Sequence, residues 1–286
     1  MAHAQQEDFG PTNPGVETDA APVGFAVGQF QPGIDQAVNL AEMWGLARMA
    51  AGRGARLILF PEYSAYCESP IGAASVAAAE PLDGDFVTAL AEMAAELEIV
   101  VVAGMLEATE DRTRFANTIV AVNPAGELVA TYRKLHLYDA FGERESDHVR
   151  PGNIEPPEMF VVSGLLVGLQ TCYDIRFPEV TRRIVDAGAD VVLVPAEWMR
   201  GPLKEHHWRT LLTARAVENT IYVVAADQAP PIGVGYSMVI DPMGVELVTI
   251  GETTDVAVAW LSTARVVAVR EINPALSLRR FGVVPV

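Results

Sequence analysis

The sequence predicts an α/β fold with two mixed β-sheets packed face to face and helices on both outer faces. Three observations support this class. Short runs rich in Val, Ile and Leu alternate with longer segments whose apolar residues recur at helical spacing, as in strands joined by helices. Two further segments have the pattern of β-hairpins, so antiparallel strands accompany the parallel ones. The order of strand, helix and hairpin occurs twice without a linker, which indicates one domain over residues 23–286.

The first half of the chain begins with alternating strands and helices. The predicted elements are a strand over 23–30, a helix over 35–51, a strand over 56–60, a helix over 85–98 and a strand over 99–105. Asp35 suits the start of the first helix, because its carboxylate can accept hydrogen bonds from the unpaired N–H groups of the first turn. This order favours parallel strands with helices outside the sheet.

A hairpin and a long loop complete the first half. Predicted strands over 117–122 and 127–132 flank the turn Asn123-Pro-Ala-Gly126. The polar segment 139–157 then follows, and loops of this length are usually functional.

The second half repeats this organisation. Its predicted elements are strands over 165–170, 190–194 and 221–226, helices from Pro178 and over 203–219, hairpin strands over 235–240 and 245–250, a strand over 255–260 and a helix over 262–271. Pro178 suits a first helical turn, where the N–H that proline lacks has no helical partner. The two halves are therefore similar in plan, although their sequences are too different to count as a repeat.

Composition narrows the class of partner. The 286 residues include 37 acidic and 20 basic side chains, which gives a formal net charge of −17. Such a chain repels nucleic-acid phosphates and anionic membranes, so we expect a small-molecule substrate, no nucleic acid and no membrane. With two cysteines, Cys67 and Cys172, the chain is no disulfide scaffold and fits a reducing cytoplasm.

The N-terminal segment differs from the remainder of the sequence. Residues 1–22 are rich in Gln, Glu, Asp, Pro and Gly and lack the basic and apolar regions of a signal peptide. We expect a disordered leader there. No apolar run reaches the roughly 18 residues that a membrane span needs.

Cys172 is the first candidate for chemistry. It ends the predicted strand 165–170 and precedes a polar turn and the helix that begins at Pro178. Open α/β sheets bind ligands at the carboxyl ends of their strands, and the N–H groups of a turn and helix start favour a thiolate. The alternative is structural, because a buried cysteine also packs as a small hydrophobic residue.

Two more candidates follow strand ends. Glu62 comes directly after the strand 56–60, and Lys134 comes after the strand that ends at Tyr132. Either residue alone could be an ordinary charged loop residue. Together with Cys172 they supply a nucleophile, a base and a fixed positive charge for an oxyanion, which are the parts needed for amide hydrolysis.

Three motifs at these residues resemble the signatures of the nitrilase, or carbon–nitrogen hydrolase, superfamily. They are Phe60-Pro61-Glu62, Tyr132-Arg133-Lys134-Leu-His136-Leu and Cys172-Tyr173-Asp174-Ile-Arg176-Phe-Pro178-Glu179. The resemblance extends over nearly everything after the leader and includes Pro195-Ala-Glu-Trp198. Several motifs in the right order are far more specific than one short pattern.

The resemblance implies a four-layer αββα sandwich and roles for the catalytic residues. In similar enzymes Glu62 would be the general base, Lys134 would stabilise the oxyanion and Cys172 would be the nucleophile. The family often has a second glutamate after the lysine, which Glu145 matches and for which Glu143 is the alternative. The backbone N–H of Tyr173 would complete the oxyanion hole. The resemblance also implies a homodimer or larger homo-oligomer and no cofactor.

The residues after the cysteine are similar to those of the omega-amidase and deaminated glutathione amidase branch. This implies an amidase that converts a terminal carboxamide of a small carboxylate-bearing substrate to acid and ammonia through a cysteine thioester. Arg176 is a candidate for the substrate carboxylate, since a guanidinium matches it bidentately, although it could equally support the loop. Tyr138 and Trp198 are further pocket candidates, with His207 below them; packing is the alternative for Trp198 and His207.

Other readings stay open at this point. A nitrile, N-carbamoyl or aliphatic amide substrate would keep the same triad, and a non-catalytic regulatory homologue would need none of it. His206 and His207 lack further ligands at metal spacing, so we predict no metal site. The Gly-rich pairs Gly52-Arg-Gly54 and Gly233-Val-Gly235 do not form a nucleotide-binding pattern. Cys67 is expected to be a loop thiol close to the site.

Overall fold

Two β-sheets form the centre of the computed structural model, which describes residues 21–286. The first sheet contains β1 (Val23–Gln29), β2 (Ala55–Leu59), β3 (Val100–Ala108), β4 (Phe115–Val122), β5 (Leu128–Arg133) and β6 (Val149–Arg150). The second sheet contains β7 (Met159–Val162), β8 (Leu165–Leu169), β9 (Val191–Ala196), β10 (Tyr222–Asp227), β11 (Met238–Ile240) and β12 (Glu246–Thr249). The last strand, β13 (Asp255–Leu261), returns to the first sheet.

Both sheets follow one plan. The strand order of the first is β13-β1-β2-β3-β4-β5, and that of the second is β12-β11-β10-β9-β8-β7. Three parallel strands lie in each centre, β1 to β3 in one and β8 to β10 in the other. Antiparallel partners flank them on both sides, including the predicted hairpins β4–β5 and β11–β12. The similarity of the two halves is therefore visible in the pairing of the strands.

Six α-helices accompany the sheets within residues 21–286. They are α1 (Gln36–Gly52), α2 (Ala73–Ala77), α3 (Asp85–Leu97), α4 (Pro178–Asp186), α5 (Lys204–Asn219) and α6 (Thr263–Ile272). Helices α1 and α3 contact the first sheet, whereas α5 contacts the second sheet and packs beside α4.

The buried apolar residues form three layers that define the sandwich. Side chains such as Leu59 and Leu193 meet between the two sheets. Leu90 belongs to the layer between the first sheet and its helices, and Leu212 to the corresponding layer on the second sheet. The order helix, sheet, sheet, helix confirms the predicted αββα sandwich. It also explains why the central strands are apolar throughout, since both of their faces are buried.

The predicted element boundaries are mostly correct to within one to three residues. Asp35 caps α1 by accepting hydrogen bonds from the N–H groups of Ala37 at 3.0 Å and Val38 at 3.2 Å. Helix α4 begins at Pro178, as predicted. The last helix starts one residue later than predicted, because Ser262 is its N-cap and accepts from Arg265.

Three features differ from the sequence prediction. The segment 139–157 is not irregular throughout, since it contains a 3₁₀ turn over Glu145–Asp147 and the short strand β6, which pairs with β4. The sequence predicts no structure for the short elements α2 and β7, because four or five residues give too little periodicity to recognise. The predicted leader lies outside the described residues except for Ala21 and Pro22. No helix among residues 21–286 is long and apolar enough to cross a membrane.

Candidate active site

The candidate catalytic residues come from separate segments and meet in one buried cluster. Glu62 follows β2, Lys134 follows β5, Cys172 follows β8, and Glu145 begins the 3₁₀ turn Glu145–Asp147. The exposed fractions of these residues are 1% for Glu62, 2% for Lys134, and 6% each for Glu145 and Cys172. The structure thus brings together every residue for which the sequence predicts a catalytic role.

Lys134 lies between two carboxylates. Its Nζ is 2.9 Å from Oε1 of Glu62 and 3.0 Å from the carboxylate of Glu145. Burial disfavours the charged ammonium, but the charges of Glu145 and Glu62 outweigh it and raise the pKa of Lys134 well above its usual value. Lys134 is therefore a fixed positive charge with one N–H left for a further partner.

Neutral donors complete the shell around both carboxylates. The side-chain amide of Asn117 donates to Glu62 at 2.6 Å and to Glu145 at 3.2 Å. The hydroxyl of Tyr63 donates to Glu145 at 2.7 Å, and the backbone N–H of Glu197 donates to Oε2 of Glu62 at 2.7 Å. Asn117 did not emerge as a site residue from the sequence, although a polar residue within an apolar strand was a usable signal.

A close backbone approach holds Glu62 in position. The N–H of Gly104, on β3, donates to the carbonyl of Pro61, and the Gly104 carbonyl accepts from Ala65. A Cβ at position 104 would lie 2.6 Å from the backbone nitrogen of Tyr63 and 2.7 Å from Cα of Glu62. Only glycine allows this contact, so Gly104 fixes the distance of Glu62 from the sheet.

The backbone of Cys172 turns sharply at the end of β8. Its φ of 45° lies in the left-handed region, which is uncommon outside glycine and is concentrated at functional sites. A 3₁₀ turn over Cys172–Arg176 follows, and the guanidinium of Arg215 donates to the carbonyl of Ile175 at 3.0 Å. The thiol lies 3.6 Å from the backbone carbonyl of Glu197. The surrounding contacts hold the thiol at the entrance to the helix α4.

The surroundings of Cys172 favour the protonated thiol over the thiolate. Burial raises its pKa well above the usual value, and the charge of Glu62 raises it further, while Lys134 acts in the opposite direction. A base must therefore accept the proton when the sulfur reacts. Glu62 is the carboxylate whose charge acts most strongly on this thiol.

A buried aspartate connects the loop of Lys134 to the turn of Cys172. Asp174 accepts hydrogen bonds from the hydroxyl of Tyr132 at 2.6 Å and from the backbone N–H of His136 at 3.0 Å. The His136 ring lies 2.8 Å from the same carboxylate. The family motifs that contain Lys134 and Cys172 are thus physically linked through Asp174.

A cavity of about 80 Å³ opens beside the thiol. Its wall includes the four candidate catalytic residues together with Tyr138, Glu143, Tyr173, Glu197, Trp198 and Lys204. Glu145 contacts Lys134, whereas Glu143 lines the wall. The cavity therefore gives a small molecule direct access to the sulfur.

A family profile described as "Carbon-nitrogen hydrolase" matches residues 25–271. The chain belongs to the carbon–nitrogen hydrolase family. This confirms the resemblance stated above.

Several curated relatives of this carbon–nitrogen hydrolase are named as amidases. The deaminated glutathione amidase of Escherichia coli O157:H7 is 38% identical over 258 residues, which cover 90% of this chain and 97% of that protein. The deaminated glutathione amidase of Mus musculus is 33% identical over 252 residues, which cover 82% of this chain and 76% of that one.

Solved structures show the same fold. The Caenorhabditis elegans NitFhit protein superposes with a TM-score of 0.83 at 28% identity, over 91% of this chain and 66% of that one. A mutant of the amidase from Nesterenkonia sp. AN1 in complex with acrylamide gives 0.79 at 26% identity, over 93% and 97% of the two chains. Another mutant of that amidase was solved with a covalent adduct on its active-site cysteine. The carbon–nitrogen hydrolase described here is an amide-hydrolysing enzyme of the nitrilase superfamily.

The cavity wall of this hydrolase agrees only in part with the predicted substrate-binding residues. Tyr138, Tyr173 and Trp198 line it, as proposed from the sequence. Arg176 is not among the lining residues within the described part of the chain; its guanidinium carbon lies 5.0 Å from the centre of the Trp198 ring. One guanidinium nitrogen lies 3.4 Å from the ring of His207. The cation that reaches the cavity next to Trp198 is Lys204.

Glu197 is a site residue that the sequence did not single out. Its backbone contacts both Glu62 and Cys172. Burial raises the pKa of its side chain to about 8, and the charge of Glu62 contributes in the same direction. One carboxyl oxygen of Glu197 lies 3.9 Å from the thiol of Cys67. Burial also raises the pKa of Cys67, so this second thiol is protonated at neutral pH. At neutral pH the cavity wall therefore favours the neutral form of the Glu197 carboxyl.

We expect the substitution Glu197→Gln to weaken an alkaline loss of activity centred near pH 8. Above about pH 8 the native carboxyl ionises close to Glu62 and adds negative charge where the Cys172 thiol must also ionise. Because the folded pKa lies above the usual 4.5, the folded state retains a proton that the unfolded chain has lost, so stability falls as pH rises between about 4.5 and 8.

Profiles of kcat/KM from pH 6 to 10, and melting temperatures at pH 5 and 8.5, would measure both effects. In the variant the alkaline decline should weaken and the difference in melting temperature should shrink. An unchanged alkaline decline would assign that ionisation to another group.

Proposed function

We propose that this enzyme hydrolyses an amide of a small carboxylate-bearing substrate, with Cys172 as nucleophile, Glu62 as general base and Lys134 as oxyanion donor. The observation that supports this most directly is the buried contact of Lys134 with Glu62 and Glu145 beside the Cys172 thiol. One cluster thereby holds a nucleophile, a carboxylate base and a fixed cation, and all three open on a cavity.

The reaction begins when the sulfur of Cys172 attacks the carbonyl carbon of the amide. Glu62 accepts the thiol proton and transfers it to the leaving nitrogen as the carbon–nitrogen bond breaks. A thioester remains on Cys172, and Glu62 then removes a proton from a water molecule whose oxygen attacks the thioester carbon. The carbon–sulfur bond breaks, the acid is released, and Glu62 returns the proton to the sulfur of Cys172. Glu62 therefore acts as base and then as acid in each half of the reaction.

Lys134 and the backbone N–H of Tyr173 stabilise the oxyanion in both tetrahedral intermediates. Two of the three N–H groups of Lys134 are held by carboxylates, so the third has a fixed direction. Glu145 keeps Lys134 charged and in place. The carboxylate of Glu145 is itself held by the hydroxyl of Tyr63 and by the backbone N–H of Tyr138. A donor fixed before the reaction needs no reorganisation when charge develops.

The substrate class rests on the names of the relatives. Several relatives are named deaminated glutathione amidases, and glutathione derivatives carry carboxylates. The proposed substrate is a terminal carboxamide that yields acid and ammonia. A second candidate is a secondary amide that yields acid and an amine. It is favoured by those names, because the γ-glutamyl bond of glutathione is a secondary amide.

A substrate panel with wild type and Cys172→Ala tests the proposal. The panel contains succinate and glutarate monoamides, 2-oxoglutaramate and deaminated glutathione, with matched nitriles and N-carbamoyl compounds, and both ammonia and free amine are measured. Turnover confined to carboxylate-bearing amides, and absent in the variant, supports the proposal, and the leaving group identifies which candidate is correct. Activity only on nitriles or N-carbamoyl compounds would keep the chemistry and reject the substrate class. No turnover of any compound would reject the proposed activity on these substrates.

We also propose a homodimer or larger homo-oligomer in the cytoplasm. The oligomer rests on the family resemblance, and the compartment is supported by the free thiols of Cys67 and Cys172. A monomeric mass in sedimentation equilibrium would reject the oligomer.

A further inference from the structure

Both lysines of this chain lie in the same cavity. The sequence contains two lysines, Lys134 and Lys204, and arginine supplies the other basic side chains. Both lysines line the wall beside Cys172. The charge of Lys134 is paired with two carboxylates, so Lys204 is the lysine whose positive charge remains to be explained.

Lys204 is buried without a counter-charge. It is 6% exposed, and no carboxylate of residues 21–286 lies within ion-pair distance of its Nζ. The hydroxyl of Tyr138 accepts a hydrogen bond from this nitrogen at 3.0 Å. Burying a charge costs free energy that a single hydrogen bond to a neutral group offsets only in part. An uncompensated ammonium in a cavity wall is therefore a site for an anion.

Aromatic rings hold the ammonium at the wall. Nζ of Lys204 lies 4.8 Å from the ring centre of Tyr138, 5.0 Å from that of Phe141 and 4.9 Å from that of Trp198. Such contacts stabilise a cation without neutralising it. The charge consequently stays available to a molecule that enters the cavity.

A second cation strengthens the positive potential at this wall. Arg176 lies 5.0 Å from the centre of the same Trp198 ring and 5.7 Å from that of Phe141. Burial lowers the pKa of Lys204, and the charge of Arg176 contributes to the same effect. Arg144 also lines the cavity, but its side chain is largely exposed and lies 3.5 Å from Asp147. Lys204 is thus the buried lining cation that has no carboxylate partner within the described chain.

We propose that Lys204 determines substrate specificity by binding the carboxylate of the substrate in the cavity, with Arg176 adding positive charge through the same aromatic cluster. This inference rests on the proposed function and deepens it, since it names the side chain that recognises the acid. The amide carbon lies at Cys172 and the carboxylate lies at Lys204. Amides that are neutral or cationic at that end are therefore poor substrates.

The helix α5 places this lysine. Lys204 is the first residue of α5, and Leu203 before it has a left-handed φ of 62°. The indole N–H of Trp198 donates to the backbone carbonyl of Lys204 at 2.8 Å. The Trp198 ring therefore contacts the ammonium of Lys204 and also fixes the backbone of that lysine.

The test compares Lys204→Met and Lys204→Arg on a charged and a neutral amide of equal length, glutarate monoamide and pentanamide. For Lys204→Met we expect kcat/KM on the monoamide to fall about 10- to 100-fold, mainly through KM, because a charge-assisted contact is lost. Activity on pentanamide should stay within about threefold, and Lys204→Arg should recover part of the loss. Arg200→Met is the matched control, because Arg200 is an exposed cation paired with Glu252.

The outcomes separate this inference from the proposed function. An equal loss on both substrates would make Lys204 a structural support for Tyr138 and Trp198 and overturn the inference. A wild-type preference for the charged amide that survives in Lys204→Met would overturn the inference alone. A wild type that prefers pentanamide would reject the proposed substrate class as well. If Lys204→Met does not fold, the same ratios from Lys204→Gln, and the inhibition constant of glutarate, decide the question.

Discussion

Replacing Lys134 with methionine is expected to lower turnover by at least a hundredfold and to destabilise the fold. Removal of one oxyanion donor typically costs about a hundred- to a thousandfold in kcat. Methionine has nearly the length of lysine and no charge, so the cavity keeps its shape while the oxyanion loses its cation. Steady-state kinetics on a carboxylate-bearing amide would measure the first effect.

The loss of stability follows from the two carboxylates that Lys134 leaves behind. Glu62 and Glu145 are almost fully buried, and each lies within 3.0 Å of the ammonium. Removing one partner of a buried ion pair typically costs about 3–5 kcal/mol. In the variant the buried negative charges of Glu62 and Glu145 are uncompensated, and one carboxyl can relieve this cost by binding a proton. The stability of the variant should then fall as pH rises. Denaturant unfolding at pH 5 and pH 8 would show a smaller loss of unfolding free energy, relative to the wild type, at pH 5.

The second lysine supplies the control. Lys204→Met removes the same charge by the same substitution, but it strands no carboxylate, so it should leave stability nearly unchanged at both pH values. Equal destabilisation by the two substitutions would show that loss of lysine packing, rather than stranded charge, is responsible. Normal turnover of a folded Lys134→Met enzyme would remove Lys134 from the mechanism.

The sequence predicted the candidate triad because strand ends are local features. Glu62, Lys134 and Cys172 each follow a predicted strand, and the motifs that contain them resemble those of one family. The left-handed backbone of Cys172 was not predictable, because cysteine gives no local sign of positive φ. It depends on the contacts around the turn, such as the bond from Arg215 to Ile175.

The residues that the sequence did not settle all depend on long-range contacts. The family resemblance favoured Glu145 and left Glu143 as the alternative, but the 3₁₀ turn that directs Glu145 towards Lys134 is visible only in the structure. Lys204 at a helix start is indistinguishable from an exposed lysine until the rings of Tyr138 and Trp198 surround it.

Replacing Glu62 with glutamine is expected to affect turnover and thiol ionisation in opposite directions. Turnover should fall about a hundred- to ten-thousandfold, because an amide can neither accept the thiol proton nor activate water. The charge of Glu62 is the second cause, after burial, of the high pKa of Cys172. Its removal should lower that pKa, so the thiolate should form at lower pH in the variant although the enzyme is slower.

Two measurements on the same sample test this pair of effects. Steady-state kinetics gives the fall in kcat, and iodoacetamide labelling between pH 6 and 10 gives the thiol ionisation, with Cys172→Ala reporting the contribution of Cys67. Glu145→Gln is the matched control, because Glu145 contacts Lys134 and its charge affects the Cys172 thiol less than that of Glu62 does. It should slow turnover less and leave the labelling profile closer to that of the wild type.

The combination of a lower kcat with thiol ionisation at lower pH makes this test specific for Glu62 as the general base. A substitution that merely disturbs the site would lower turnover and leave the thiol more buried or less ordered, without a shift of labelling to lower pH. Glutamine also places an N–H₂ group either against the backbone N–H of Glu197 or against Lys134, so some disorder is expected in any case. A fall in kcat without the shift would therefore assign Glu62 a positioning role. A kcat within tenfold of the wild type would require another base in this cavity, and Glu197 would be the first to test.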